Sequence, residues 1–127
     1  MRHGFSKRTL NMNASHRVAV LRNLAISLIR NGKVETTLAK AKELRSFVEP
    51  IITIAKGGSD FNKIRLIKSK LGSHFEHNEV YSIVSKFANR NGGYTRLIKN
   101  GNRYGDAALK AVLEVFRYLD QDCHMCI

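Results

Sequence analysis

"LRNLAISLIRNGKVETTLAKAKEL", residues 21–44, changes its hydropathic period twice, and those changes decide the fold class. Leu21, Leu24, Ala25, Leu28 and Ile29 recur at spacings of three and four, the signature of one helical face, within a helix predicted over 15–31. Asn13 or Ser15 supplies its N-cap, and Asn31-Gly32 supplies a left-handed stop. "KVETT" (33–37) is short, rich in β-branched residues and bounded by glycine, so it reads as a strand. After Thr36 or Thr37 the helical period resumes through Leu38, Ala41, Leu44, Val48, Ile51, Ile52 and Ala55. Pro50 lies inside that run. A proline lacks the backbone donor and disfavours helical geometry at the residue before it, so a kink or a restart is expected there.

Further along, Ser59 is placed to cap a third helix that turns Phe61, Ile64, Ile67 and Leu71 inward, with Gly72 as its stop. A fourth begins near Glu76 and presents Val80, Ile83, Val84 and Phe87. Beyond "NRNGGYTR" (89–96) the period falls to two. Strands are predicted over 94–99 and 109–118, joined by the Gly- and Asn-rich "NGNRYGDAA" (100–108), long enough for an open hairpin loop. With 33–37 they make a small three-stranded mixed sheet. Four helices on one face of it give a two-layer α+β domain. That domain spans 14–118, between an extended basic N-terminal arm (1–13) and a flexible acidic C-terminal tail (119–127). No internal repeat is present.

The 127 residues carry 22 Lys and Arg against 10 Asp and Glu, a formal charge of +12, which calls for a polyanionic partner. A chain of this length buries roughly two thirds of its unfolded surface around one core. No run of 18 apolar residues occurs; "VAVLRNLAISLI" is cut by Arg22 and Asn23, so neither a membrane span nor a membrane partner is expected. The start lacks a secretory apolar core, although its Arg-rich, acid-free composition also suits an organelle transit peptide. Cys123 and Cys126 are the only cysteines, in "DCHMCI", which makes no disulfide framework and too few ligands for zinc; a reducing compartment, the cytoplasm, is the simpler expectation.

Charge is unevenly placed. The stretch 1–34 has no acid and holds Arg2, Lys7, Arg8, Arg17, Arg22, Arg30 and Lys33; 80–105 has none either and holds Lys86, Arg90, Arg96, Lys99 and Arg103. Arg forks and Lys point charges suit phosphates, while Asn11, Asn13 and Ser15 can bond sugars or bases. Phe5, alone in a charged arm, suits stacking on an unpaired base. In the second stretch Gly92, Gly93, Gly101 and Gly105 allow close backbone approach, with Tyr94, Arg96, Arg103 and Tyr104 for stacking and charge. The plain alternatives are a solubilising arm and an ordinary hairpin.

Enzymatic readings find little support. "HFEHNE" (74–79) gathers His74, Glu76, His77 and Glu79, but in neither zincin order, and no Ser or Cys stands in a nucleophile context. Neither catalytic residues, a metal, a cofactor nor a small-molecule substrate is expected. Metal-dependent hydrolysis at His74 and His77 is one rival; another is a DNA-binding regulator whose helices flank "NGKVETT" as a helix-turn-helix, against the usual three-to-four-residue turn.

"MRH", "KRTLNMNASHRVAVLRNLAISLI", "TTLAKAKELRSFVEPIITIAK" and "NRNGGYTRLIKNGNRYGDAA" together resemble the bacterial large-subunit ribosomal protein family numbered seventeen, in order and nearly in spacing from Met1 to about Phe116. The resemblance implies a structural constituent of the large ribosomal subunit, in the cytoplasm. Such a protein binds ribosomal RNA near the nascent-chain exit tunnel, among neighbouring large-subunit proteins. The positions matching the family pattern are Arg2, His3, Arg8, Leu10, Asn11, Asn13, Ser15, His16, Arg17, Arg22 and Asn23, then Arg90, Gly92, Gly93, Tyr94, Thr95, Arg96, Lys99, Gly101, Arg103, Gly105 and Asp106. The chain departs from that pattern at Gly4, Phe5, Lys7, Met12 and Ala39. It also implies that the basic leader is a mature arm, not a transit peptide.

Overall fold

A computed structural model of the chain describes residues 3–4, 7–72 and 75–116. The expectations for Cys123, Cys126 and the tail 119–127 lie outside these residues, as do His74 and the side chain of His77. Helix α1 (Ala14–Asn31) ends where Gly32 takes φ +75° and donates its N–H to the Leu28 carbonyl at 2.8 Å, the left-handed stop that glycine makes without a Cβ penalty. Asn13 is the N-cap residue, but only its backbone carbonyl serves the helix, accepting from the Arg17 N–H at 2.9 Å. Strand β1 (Lys33–Thr37) follows at once and hands over to α2 (Leu38–Lys56). Then come α3 (Phe61–Leu71), α4 (His77–Val84), a 3-10 turn at Ser85–Phe87, β2 (Thr95–Asn102) and β3 (Leu109–Val115).

The sheet order is β1-β3-β2, and both pairings are antiparallel, so the sheet is not mixed as expected. β1 and β2 do run the same way, joined by the helical crossover. The hairpin return of β3 inserts between them, so no parallel neighbours remain. In β3, Ala111, Leu113 and Val115 are buried while Lys110, Val112 and Glu114 alternate to the other side. The inner face meets Leu28 and Ile29 of α1, Leu44, Val48, Ile51 and Ile52 of α2, Ile67 of α3 and Val80 of α4 in one core. The opposite face carries the cross-strand ion pairs Arg96–Glu114 and Lys110–Glu35, which keep it polar around Val112 and Ile98. Two layers therefore stand as read from the periodicity.

Several local expectations change. α2 runs through Pro50 without a restart: the proline is exposed, so water can serve the Ser46 carbonyl that it leaves without an N–H. The N-cap of α3 is Asp60 rather than Ser59, and Phe61, at the first helical position beside the exposed residues 57–60, is 80% exposed rather than inward. Leader residues 7–13 are not simply extended. Leu10 and Asn11 take φ near +55° and +52°, Met12 N–H bonds the Thr9 carbonyl at 3.2 Å, and the Arg17 guanidinium reaches the same carbonyl at 3.4 Å. Finally, β1 is a strand of the sheet between α1 and α2, which removes the helix-turn-helix alternative.

The core assignment has a direct test. Leu113→Ala, at a fully buried position, is expected to lower unfolding stability by about 2–5 kcal/mol in urea titration, whereas Phe61→Ala is expected to change it by less than about 0.5 kcal/mol.

Candidate nucleic-acid interface

An 18-residue helix is roughly 27 Å long and a five-residue strand roughly 17 Å, so α1, folded back at Gly32, outruns β1 by about 10 Å. Burial agrees. Only Ala25, Leu28 and Ile29 of α1 are buried, and between Ala14 and Leu24 just Leu21 and Leu24, partly buried, pack against the core. This outer half carries Ser15, His16, Arg17, Arg22 and Asn23, with no acid in its first turn and no side-chain cap. His3, Lys7 and Arg8 are exposed ahead of it; Arg2 and Phe5 lie outside the described residues. Arg8 pairs with Glu43 in the second turn of α2 at 3.7 Å, which ties the leader to the end of the domain where β1 passes into α2.

Arg22 acts partly within the protein. Its Nε and Nη2 donate to the carbonyls of Lys70 and Ser69 at 2.9 and 3.0 Å, where the C-terminal end of α3 concentrates unpaired acceptors and negative dipole.

The β2–β3 tip lies at this same end, because the last β1–β3 pair is Thr37↔Lys110 and residues 103–108 continue past it. Arg103 forks onto Asp106 and its backbone N–H bonds the Ala108 carbonyl at 2.8 Å; Ala108 N–H bonds the Asp106 carboxylate at 3.2 Å. The Arg103 hydrogen bond, followed by that from Ala108, holds the Asp106 carboxyl down at about 2. Arg103, expected to meet phosphate, is thus already engaged by a carboxylate. Tyr104 beside it is fully exposed, and Gly105, at φ +106°, turns the chain behind it.

The other half of the glycine-rich stretch is elsewhere. Residues 90–93 precede β2, whose eight residues put roughly 26 Å between them and the tip. "GGYTR" and "NGNRYG", grouped by sequence as one site, therefore stand at opposite ends of the hairpin, with Lys99 exposed between them. Tyr94 is corrected outright. It is 3% exposed, its ring meets Phe87 edge-on at 5.3 Å, and it has no face to offer a base. At that end Arg90 and Arg96 lie over the Phe116 ring at 4.3 and 5.0 Å, and Arg96 also pairs with Glu114 through Nε at 2.6 Å. Gly92 and Gly93 are exposed beside them.

Sequence reading missed Lys56, which donates to the Arg90 carbonyl and sits 5.7 Å from the Tyr94 ring centre. It lies 34 positions from Arg90, among interleaved charges, and no local signal marks it. Nor did sequence reading show that Arg30 pairs with Glu79 at 2.9 Å, a bond that raises the guanidinium above its ordinary value.

The Asp106 bracket predicts its own pH dependence. A carboxyl lowered in the folded state stabilises the tip above its ordinary range, and that contribution disappears as pH falls through about 2. In NMR titration Asp106 should therefore titrate near the bottom of the carboxylate range, and Asp106→Asn should speed amide exchange at Ala108 while barely moving the thermal midpoint.

Residues 20–116 match the sequence model of the family described as Ribosomal protein L17. The chain is 49% identical over 116 residues to a protein of Campylobacter hominis named large ribosomal subunit protein bL17, covering 91% of this chain and 98% of the relative. A protein of the same name from a Sulfurovum species is 49% identical over 116 residues (91% and 99%), and one from Campylobacter lari is 50% identical over 115 residues (90% and 97%).

Proposed function

Because the chain belongs to the ribosomal protein L17 family, a family of structural ribosomal proteins and not of enzymes, we propose that it binds ribosomal RNA of the large subunit. Its instruments would be the leader, the outer half of α1 and the exposed hairpin tip. The observation that carries this reading is their placement at one end of the domain, with the first two turns of α1 outside the core there. Cations that meet phosphates release condensed counterions, which makes favourable a charge density that would repel itself in isolation. Tyr104 offers an aromatic face to an unpaired base, and Asn11, Asn13, Ser15, His16 and Asn23 offer hydrogen bonds to sugar or base edges. On this reading the protein would sit on the large ribosomal subunit in the cytoplasm, near the nascent-chain exit tunnel. Neighbouring large-subunit proteins would then face the surfaces where acids and bases balance, such as the outer side of the sheet. No described helix is long and apolar enough to cross a membrane.

Removing residues 2–13 tests the reading: the shortened domain is expected to keep its circular dichroism spectrum and to fail to enter assembling large subunits. Retained incorporation would make the arm dispensable. Binding to large-subunit RNA should be steeply salt-dependent. With Arg22 and Arg103 engaged inside the protein, about six remaining phosphate contacts give a log-log slope of about −4 to −5. A slope near −1 contradicts the reading. Tyr104→Ala should weaken RNA binding by about 1–3 kcal/mol without loss of stability, while Tyr94→Ala should do the reverse.

A further inference from the structure

The end of the domain away from the leader carries its own surplus of positive charge. Lys56, Lys86, Arg90 and Arg96 gather there around Phe116, and the carboxylate among them, Glu114, is bonded to Arg96. Acids on nearby elements are taken by other bases: Glu79 by Arg30, Asp60 by Lys63, Glu49 by Arg45. Arg90 is held in a particular way. Its guanidinium lies on the Phe116 ring at 4.3 Å and its Nε donates to the Gly92 carbonyl at 3.2 Å, while its two terminal nitrogens take no partner among the described residues. A fork fixed by a ring and a backbone bond, with its outer edge open, is arranged in advance for two phosphate oxygens. Beside it Lys86 is exposed and borders a hollow of about 190 Å³, walled by Ile29, Ile83 and Phe116.

We propose that Lys86 and Arg90, backed by Phe116, form a second phosphate-binding site, so that the protein bridges two segments of RNA instead of gripping one. The inference rests on the RNA-binding reading above and adds its geometry. Roughly 26 Å of hairpin separates this site from the tip, the rise of about seven nucleotides along one strand, so the two ends cannot share neighbouring phosphates. The stiff three-stranded sheet between them sets that separation.

Hydroxyl-radical footprinting of the full-length protein on large-subunit ribosomal RNA tests it, using the unaltered chain, Lys86→Ala/Arg90→Ala and Lys7→Ala/Arg8→Ala. The unaltered chain should protect two separated segments. Lys86→Ala/Arg90→Ala should lose one of them and reduce the salt slope by about 1.5, while Lys7→Ala/Arg8→Ala should lose the other. Lys86→Ala alone, at an exposed position outside the core, should reduce the slope by about 0.8 and reads the site if the double variant folds poorly. Unchanged protections and slope in the Lys86 and Arg90 variants, with loss in the Lys7/Arg8 variant, overturn the second site and leave the first reading standing. Indifference to both pairs overturns the RNA-binding reading itself.

Discussion

Strand β3 is the constraint on which the rest depends. It is the last regular element of the described chain, yet it sits in the middle of the sheet, paired on both sides, with Ala111 and Leu113 fully buried under α2. Its terminal Val115 N–H bonds the Gly32 carbonyl at 2.8 Å, which fastens the turn between α1 and β1 to the far end of the hairpin. From that anchor the direction of α1 follows, and with it which end of α1 is left outside the core. Each fully buried Leu or Ile contributes about 1.5–3 kcal/mol, and many of them gather where α2 crosses the inner face. That concentration leaves the hairpin tip, whose residues 98–107 are exposed, outside the core and available for polar work.

Electrostatics is organised around the same frame. Part of the surface is neutralised by cross-strand and interhelix pairs, Arg96–Glu114, Lys110–Glu35 and Arg30–Glu79. Such exposed pairs add little stability, because water and salt screen them. Their larger effect is to decide where the net charge of +12 is expressed. It surfaces in the leader and outer α1 at one end, and around Lys86 and Arg90 at the other. Several cations that look alike in sequence have different duties: Arg22 closes the end of α3, Arg103 braces the hairpin tip, and Arg90 lies on an aromatic ring.

Much was legible without coordinates because it is encoded in local period and local backbone preference. The helix–glycine–strand–helix run from α1 to α2, the strand at 33–37 and the period-two hairpin near the C-terminal end depend on spacings of two, three or four residues, and each appears where its pattern placed it. The acid-free stretches were equally visible, since composition along the chain needs no fold, and the family motifs lay in the same segments. Local preference was weaker where a neighbour could override it. Pro50 passes through an unbroken helix because its missing donor faces water, and Phe61 stays outside because the first turn of α3 is at the surface.

The sequence by itself determined the α+β class, the placement of most elements, the sign of the chain's own charge and the family. Only the tertiary structure decided that the sheet is wholly antiparallel, that Tyr94 is a core residue while Tyr104 is a surface one, and that the second glycine-rich stretch is two places. It alone joined Lys56 to Arg90 and Arg8 to Glu43. The physical reason is range. Helical and strand periods and turn preferences act over a few bonds, whereas strand order, burial of a ring and the meeting of distant charges arise only when β3 is threaded between strands that the chain made long before it.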